Sequence, residues 1–479
     1  MSTSADISRA RLPWGPVSLV FFGLAFARTW LSLVFVDAGA TSGLAPLSHA
    51  AFDVGYVLAS AAFVMLSRRL VPYTARRPAY VTTLVGMLVP VMWFAWGESL
   101  LAAFGVPQLS RVMAGAAAIL GGCAYASFLI LNAEVFAGVS ILRIVIYLAG
   151  GRALAVFMTF LLQGVDEGRL AVALLVLPVV AVALVRVAYG SLAPAERQPA
   201  RFPRYAFPWK LIVLVAVFSF VYGLRQATLA PGAGQHSSLS TGIVMGAVFL
   251  IAYFLPGRVN LAALCRAPLF IMLCGLLLLP TEGLFGQVVS SYFVSISYTL
   301  MTFLVTILLY DMSKRTGVAI MPLVAAVNAM QAFVLLGNAA SSVVSHVVGA
   351  TGLAGGLILG AVACLGIGAA FVLLFSEREL EARWGIKVLS DASLDEMARV
   401  SDDLARRCEE LVRTYGLTPR EEEVLRELAR RRDATAVARS LMIAPGTLKA
   451  HTRHIYEKMN IHTREELYTL LGLQWGPQE

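Results

Sequence analysis

Between Thr447 and Lys458 the chain reads TLKAHTRHIYEK, a stretch dense in groups that can touch a polyanion. Written on a helix, Leu448, Ile455 and Met459 share one face. Thr447, Lys449, Ala450, His451, Arg453, His454 and Lys458 point away from it. Cationic side chains at such positions neutralise phosphates and release counterions. Arg and Lys also donate to guanine edges in the major groove, and a side chain as small as Ala450 can meet a thymine methyl. An ordinary solvated helix face has a similar composition. Net charge does not separate the two readings, because 417–473 holds ten Lys and Arg against eight Asp and Glu.

A second group of charges lies where charges are costly. Arg28, Asp53, Glu98, Arg143, Arg152 and Arg225 fall within or beside long apolar runs, and Tyr222 precedes Arg225 by about one helical turn. Ionisable residues inside a bilayer mark ligand or ion sites, or pair with one another. An Arg in a dry cavity attracts a carboxylate or an electron-rich ring. Arg28, Asp53, Glu98, Tyr222 and Arg225 are therefore the candidate ligand residues, with an internal Arg28–Asp53 ion pair as the competing reading. No phosphate-loop, zinc-protease or nucleophile-elbow motif occurs, so no enzyme activity, metal or cofactor is expected. The five cysteines form no Cys-x-x-Cys pair and read as small apolar fillers.

The elements around the first group follow from local signals. Thr418 with Glu421 makes a capping box, with Pro419 at the first helical position. Val424, Leu425, Leu428 and Ala429 give that helix its buried face. Asp433 can cap a second short helix in which Val437, Ala438 and Leu441 point inward. Pro445 opens the third helix, and Thr463 with Glu466 starts a fourth through Leu467 and Leu471. Four short helices, the middle two joined by a tight turn, make a helix-turn-helix unit.

The opening LTPREEEVL, the core TLKAH and the closing KMNIHTR together resemble the LuxR-type DNA-binding domain over 417–473. The resemblance implies that Lys449, Ala450 and Arg453 face bases, that Thr447, His451 and Lys458 lie at or near the DNA backbone, and that Glu421 is a structural acid. It also implies double-stranded DNA as partner and a homodimer on two half-sites. The family usually has Gly where Arg431 stands, Asn-Lys-Glu where Ala434, Thr435 and Ala436 stand, and commonly Ser at Ala444.

The elements around the second group are of another physical class. The chain is 58% hydrophobic and 14% charged, against roughly a quarter charged in soluble proteins. Charge is scarce from about 15 to 375 and abundant after 376. Twelve apolar runs approach the roughly 20 residues that span a bilayer: 15–36, 50–67, 80–104, 111–132, 138–162, 169–189, 209–230, 240–255, 267–285, 287–310, 318–345 and 353–375. The eighth is short and Pro280 interrupts the ninth. The first is too long for a cleavable signal core. Joints on one side carry thirteen basic residues (Arg9, Arg11, Arg68, Arg69, Arg76, Arg77, Arg197, Arg201, Arg204, Arg258, Arg266, Lys314, Arg315), and those on the other only Arg111 and Arg169. The basic side is cytosolic, which puts both termini in the cytosol. These loops also account for most of the net +9 and the pI near 9.4.

The fold expected is all-α: a polytopic bundle over 1–375, a helical linker over 376–416 and a small helix-turn-helix domain over 417–479. The linker carries an apolar stripe of Leu394, Met397, Val400, Leu404, Cys408 and Leu411, which reads either as a short dimerising coil or as a helix docked on its neighbours. Six-plus-six spans with a long Pro- and Arg-rich central joint at 190–208 look like the major facilitator architecture in topology, but the loop SRRLVPYTARRP lacks that superfamily's Asp and glycines. The chain as a whole resembles membrane-bound one-component regulators with a twelve-span N-terminal domain. That implies residence in the cytoplasmic (inner) membrane, with the lipid bilayer and a small-molecule ligand as further partners. A transporter with a regulatory tail, or a membrane protein whose tail docks another protein, are the rival readings.

Overall fold

In the computed structural model the described residues are 18–36, 48–103, 109–192, 197, 202, 207–228, 238–255, 261–278, 282–349, 353–375, 406–429, 437–438, 441 and 443–471, with the side chains of a few of these, Glu98 among them, outside the description. Among them every regular element is helical and no strand occurs. The chain divides into two compact units, a larger one over Val17–Leu192 and Ala200–Leu394 and a smaller one that contains Asp395–Glu479.

In the larger unit α1 (Gly23–Leu31) continues a 3₁₀ turn, Leu19–Phe22, and passes into a π-helical turn, Ser32–Val36. Then follow α2 (His49–Leu70), α3 (Arg77–Ala103), α4 (Ser110–Ala137), α5 (Ile141–Leu162) and α6 (Glu167–Ser191). The second half comprises α7 (Trp209–Thr228), α8 (Ser238–Phe254), α9 (Leu261–Leu277), α10 (Glu282–Thr316), α11 (Ile320–Ala329), α12 (Gln331–Gly349) and α13 (Leu353–Leu374). Among the described residues nine helical stretches are long and apolar enough to cross a membrane, and Leu239–Phe254, Leu264–Leu277 and Ala363–Leu374 are shorter apolar helices. All twelve predicted spans thus fall on helices, with two differences. Residues 282–285, placed in the ninth span, belong to α10, which runs on to Thr316. The eleventh span is two helices: Met330 N–H bonds to Val327 O at 3.0 Å and Phe333 N–H to Met330 O at 2.9 Å, and this i→i−3 tightening separates α11 from α12 without a proline.

Helices α1–α6 pack mainly on one another, as do α7–α13, and the two groups meet chiefly where α2 touches α11 and α5 touches α8. Lipid tails are as apolar as the helices, so close backbone approach and interhelical hydrogen bonds must hold the bundle. The α2–α4 crossing shows the first device. A Cβ on Gly55 would lie 2.0 Å from Ile119 O, and one on Gly122 would lie 2.0 Å from Phe52 O. The second device is local: Glu134 at the end of α4 accepts from Tyr73 N–H at 3.0 Å and from Thr74 N–H and hydroxyl at 2.8 Å each, which pins the α2–α3 joint.

The smaller unit has a helix α14 over 406–415, then α15 (Pro419–Ala429), a helical pair at 437–438, α16 (Pro445–Met459) and α17 (Arg464–Leu470). Its core joins Val424, Leu425 and Leu428 to Val437, Leu448, Ile455 and Leu467, and includes Cys408 of α14, with Leu411, Val412 and Tyr415 packed against it. For the described part of the linker stripe, the docked-helix reading is what is observed; Leu394 to Leu404 lie outside the described residues.

The α2–α4 crossing yields a paired prediction. Gly122→Val should cost upwards of about 3 kcal/mol, since the clash is with backbone and no rotamer relieves it. Gly115→Val on the same helix, with nothing within 4 Å of its Cβ, should be tolerated. Monodispersity on size exclusion and melting temperature in detergent distinguish the two.

Candidate functional site

In the smaller unit the predicted reading helix is α16. Leu448, Ile455 and Met459 are buried, Thr447, Lys449, Ala450, Arg453, His454 and Lys458 are exposed, and His451 is half-buried. Arg453 lies 3.5 Å from Glu457, both well exposed, so that pair is weak and easily exchanged for a phosphate or a base. The helix is set by its neighbours. Arg420 of α15 pairs with Glu423 and donates to Leu441 O at 3.0 Å in the turn before α16. In the same turn Ile443 N–H reaches back to Ala438 O at 3.0 Å, a Schellman-type closure. On the far side Tyr468 of α17 donates to Leu428 O at 3.2 Å and accepts from Arg464 Nε at 2.9 Å.

Both predicted capping boxes form. Thr418 N–H gives to Glu421 Oε2 at 2.7 Å and Glu421 N–H gives to Thr418 Oγ1 at 3.3 Å. Glu466 N–H gives to Thr463 Oγ1 at 3.1 Å, while the Glu466 carboxylate reaches one residue further back, to His462 N–H at 2.7 Å, and this bond holds its pKa below the ordinary value. Glu421 also binds Lys458 Nζ of α16 at 2.6 Å, and the same ammonium donates to Gly416 O at 3.3 Å. Burial pushes the Glu421 carboxyl up. The bonds from Lys458 and from the Thr418 N–H and hydroxyl outweigh it and hold the pKa at about 2. Lys458, expected near the DNA backbone, thus spends two of its three donors inside the domain.

In the larger unit a cavity of about 290 Å³ opens between the two helix groups. Arg28, Asp53 and Tyr222 line it, together with Arg152, His49, Tyr125, Tyr298, Asn328 and Gln331. Asp53, 3% exposed, is held not by Arg28 but by Gln331 Nε2 at 3.3 Å and His49 Nε2 at 3.7 Å. Gln331 Oε1 accepts from the Tyr298 hydroxyl at 3.1 Å, and Tyr298 stacks on Tyr222 with centroids 4.3 Å apart. The expected Arg28–Asp53 pair does not form among the described residues. The two side chains share the cavity instead. Arg225 is buried but does not line it, Arg143 is exposed, and the Glu98 side chain lies outside the described residues. Sequence reasoning passed over His49 and Gln331, whose signal was a neutral polar residue within an apolar run.

Residues 416–471 match the family model described as "Bacterial regulatory proteins, luxR family". The C-terminal segment is a LuxR-type helix-turn-helix domain. No curated protein matches the chain. Within the LuxR-type domain one departure from the family pattern has a visible result: Ala444 stands at the N-cap of α16 with extended backbone and offers no side-chain oxygen to the helix. Arg431, Asp433, Ala434, Thr435 and Ala436 lie outside the described residues.

Two predictions follow from these contacts, both read by urea denaturation of residues 395–479. Ala444→Ser should stabilise the LuxR-type domain by about 0.5–1 kcal/mol, by supplying the missing cap. Glu421→Gln should destabilise it by about 2–3 kcal/mol at pH 7, since it leaves a charged Lys458 without its partner. A carboxylate whose folded pKa is depressed stabilises fully above its unfolded pKa and loses that contribution as pH falls through the folded one. The gap between wild type and Glu421→Gln should therefore shrink from roughly pH 4.5 down to about 2.

Proposed function

We propose that this chain is a membrane-bound one-component transcription regulator, in which the larger unit binds a small molecule and the LuxR-type domain binds promoter DNA. The observation that carries this reading is the presence in one chain of a LuxR-type domain and a bundle of apolar helices around a polar cavity. In this reading Lys449, Ala450 and Arg453 face base edges, and Thr447, His451 and the remaining donor of Lys458 meet phosphates. The domain binds as a homodimer on two half-sites. The bundle, 1–375, lies in the cytoplasmic membrane with both termini in the cytosol. The linker 376–416 carries the signal, and its last turns, packed on the core of the LuxR-type domain, move with 417–479. A ligand acts by binding one arrangement of the two helix groups better than another; equal affinity for both would shift nothing.

A second reading has one observation in its favour. A polar cavity between two groups of six spans also suits a major-facilitator-like transporter with a regulatory tail. Ion-gradient-driven uptake by reconstituted protein would support it. Retained ligand binding without uptake would support the regulator.

The deciding experiment measures DNA binding by full-length protein in nanodiscs, using promoter fragments from its own gene neighbourhood across a salt titration. Sequence-selective binding that weakens linearly in log–log salt is expected. Lys449→Ala with Arg453→Ala should remove it, each change costing about 1–3 kcal/mol. Selective binding that survives both substitutions, or no selective binding with or without the bundle, sinks the proposal.

A further inference from the structure

The cavity wall is unbalanced in its hydrogen-bonding chemistry. Its carboxylate is engaged: Asp53 accepts from Gln331 and lies 3.7 Å from His49 Nε2, and the Gln331 carbonyl takes a bond from Tyr298. Several of its donors are not. Arg152 Nη1 donates to Thr299 O at 3.4 Å, but its Nε, the Tyr125 hydroxyl and Asn328 Nδ2 are each buried without a hydrogen-bond partner among the described residues. Tyr125 is 4% exposed. Arg28 has no carboxylate within ion-pair distance among the described residues. An unmade buried donor costs about 1–3 kcal/mol, so three in one cavity call for acceptors, whether from water or from a ligand. Charge points the same way, with two guanidinium groups against one carboxylate that is already bonded.

Shape adds a second constraint. The Tyr222–Tyr298 stack gives the cavity a flat aromatic wall, and Arg152 lies over Phe303 at 5.6 Å from the ring centroid. About 290 Å³ equals the liquid volume of roughly ten waters, room for one ring with a short polar arm. Asp53 is the one carboxylate among the described lining residues, against the two guanidinium groups of Arg28 and Arg152.

We propose that this cavity binds a small organic anion with a flat apolar body, its carboxylate received by Arg28 and Arg152 and its ring lying against the tyrosines. This deepens the sensor reading, on which its biological meaning rests, but binding itself is testable without DNA. The experiment is calorimetric titration of full-length protein in nanodiscs with benzoate, 4-hydroxybenzoate, phenylacetate and indole-3-acetate, each beside its amide and its amine counterpart. At least one carboxylate should bind ten times or more tighter than its own amide, with no measurable binding of the amine. Arg28→Gln and Arg152→Gln should each weaken that carboxylate tenfold or more and leave the amide unchanged. Equal affinity for acid and amide, preference for the amine, or failure of every carboxylate to bind would overturn the proposal. The acid–amide comparison is made on the unmodified protein, so it stands even if a variant fails to fold. Carboxylate binding that leaves DNA affinity unaltered would support the site and count against the sensor reading. Carboxylate-independent, sequence-selective DNA binding with no carboxylate bound would do the reverse.

Discussion

A helix in hydrocarbon gains little by turning an apolar face to another helix, because the lipid offers the same contact. What the larger unit can use is proximity and polarity. At the α2–α4 crossing, Gly55 and Gly122 remove the side chains that would separate the backbones. With these helices in place, Phe52, Asp53 and Tyr125 are carried to one wall, and the rest of the cavity is arranged against it. Gly223 and Gly337 do the same where α7 crosses α12, so each helix group has a crossing where nothing but hydrogen fits.

Polar bonds supply the second half of that construction. Asp53 on α2, Gln331 at the start of α12 and Tyr298 on α10 form a continuous series of hydrogen bonds from one helix group to the other. Gln331 can serve both partners because α11 stops at Ala329 and α12 begins two residues later. A bond of this kind is worth about 1 kcal/mol in a membrane interior, so it biases the relation of the two groups without fixing it.

The fold was legible where its signals are local or periodic. Each of the twelve apolar runs read from hydropathy falls on helix where it is described, nine of them on stretches long and apolar enough to cross a membrane, and the Thr418–Glu421 and Thr463–Glu466 boxes named two helix starts that the structure reproduces. The α11–α12 break escaped because neither Gly nor Pro marks it; it is made by two i→i−3 bonds. The cavity was half legible. Arg28, Asp53 and Tyr222 were singled out by their cost in lipid or their place beside an Arg, whereas His49 and Gln331 matter through a partner more than 250 residues away in the case of Gln331, which no local rule reveals. The membership of α14 in the core of the LuxR-type domain was open for a related reason: Cys408 and Leu411 make a clear stripe, but a stripe does not say what covers it.

Gly416 closes α14 in the left-handed conformation, with Leu417 N–H returning to Val412 O at 3.0 Å. Its own carbonyl is held by Lys458, the residue that also grips Glu421 at the end of α16. The end of α14 is therefore tied to the C-terminal end of α16 within the smaller unit. One ammonium thus joins the end of α14 to the first turn of α15 and to the last turn of α16. In the regulator proposed above, any phosphate contact by Lys458 would fall to its one remaining donor, so the cation that closes the domain would also be the one that meets DNA.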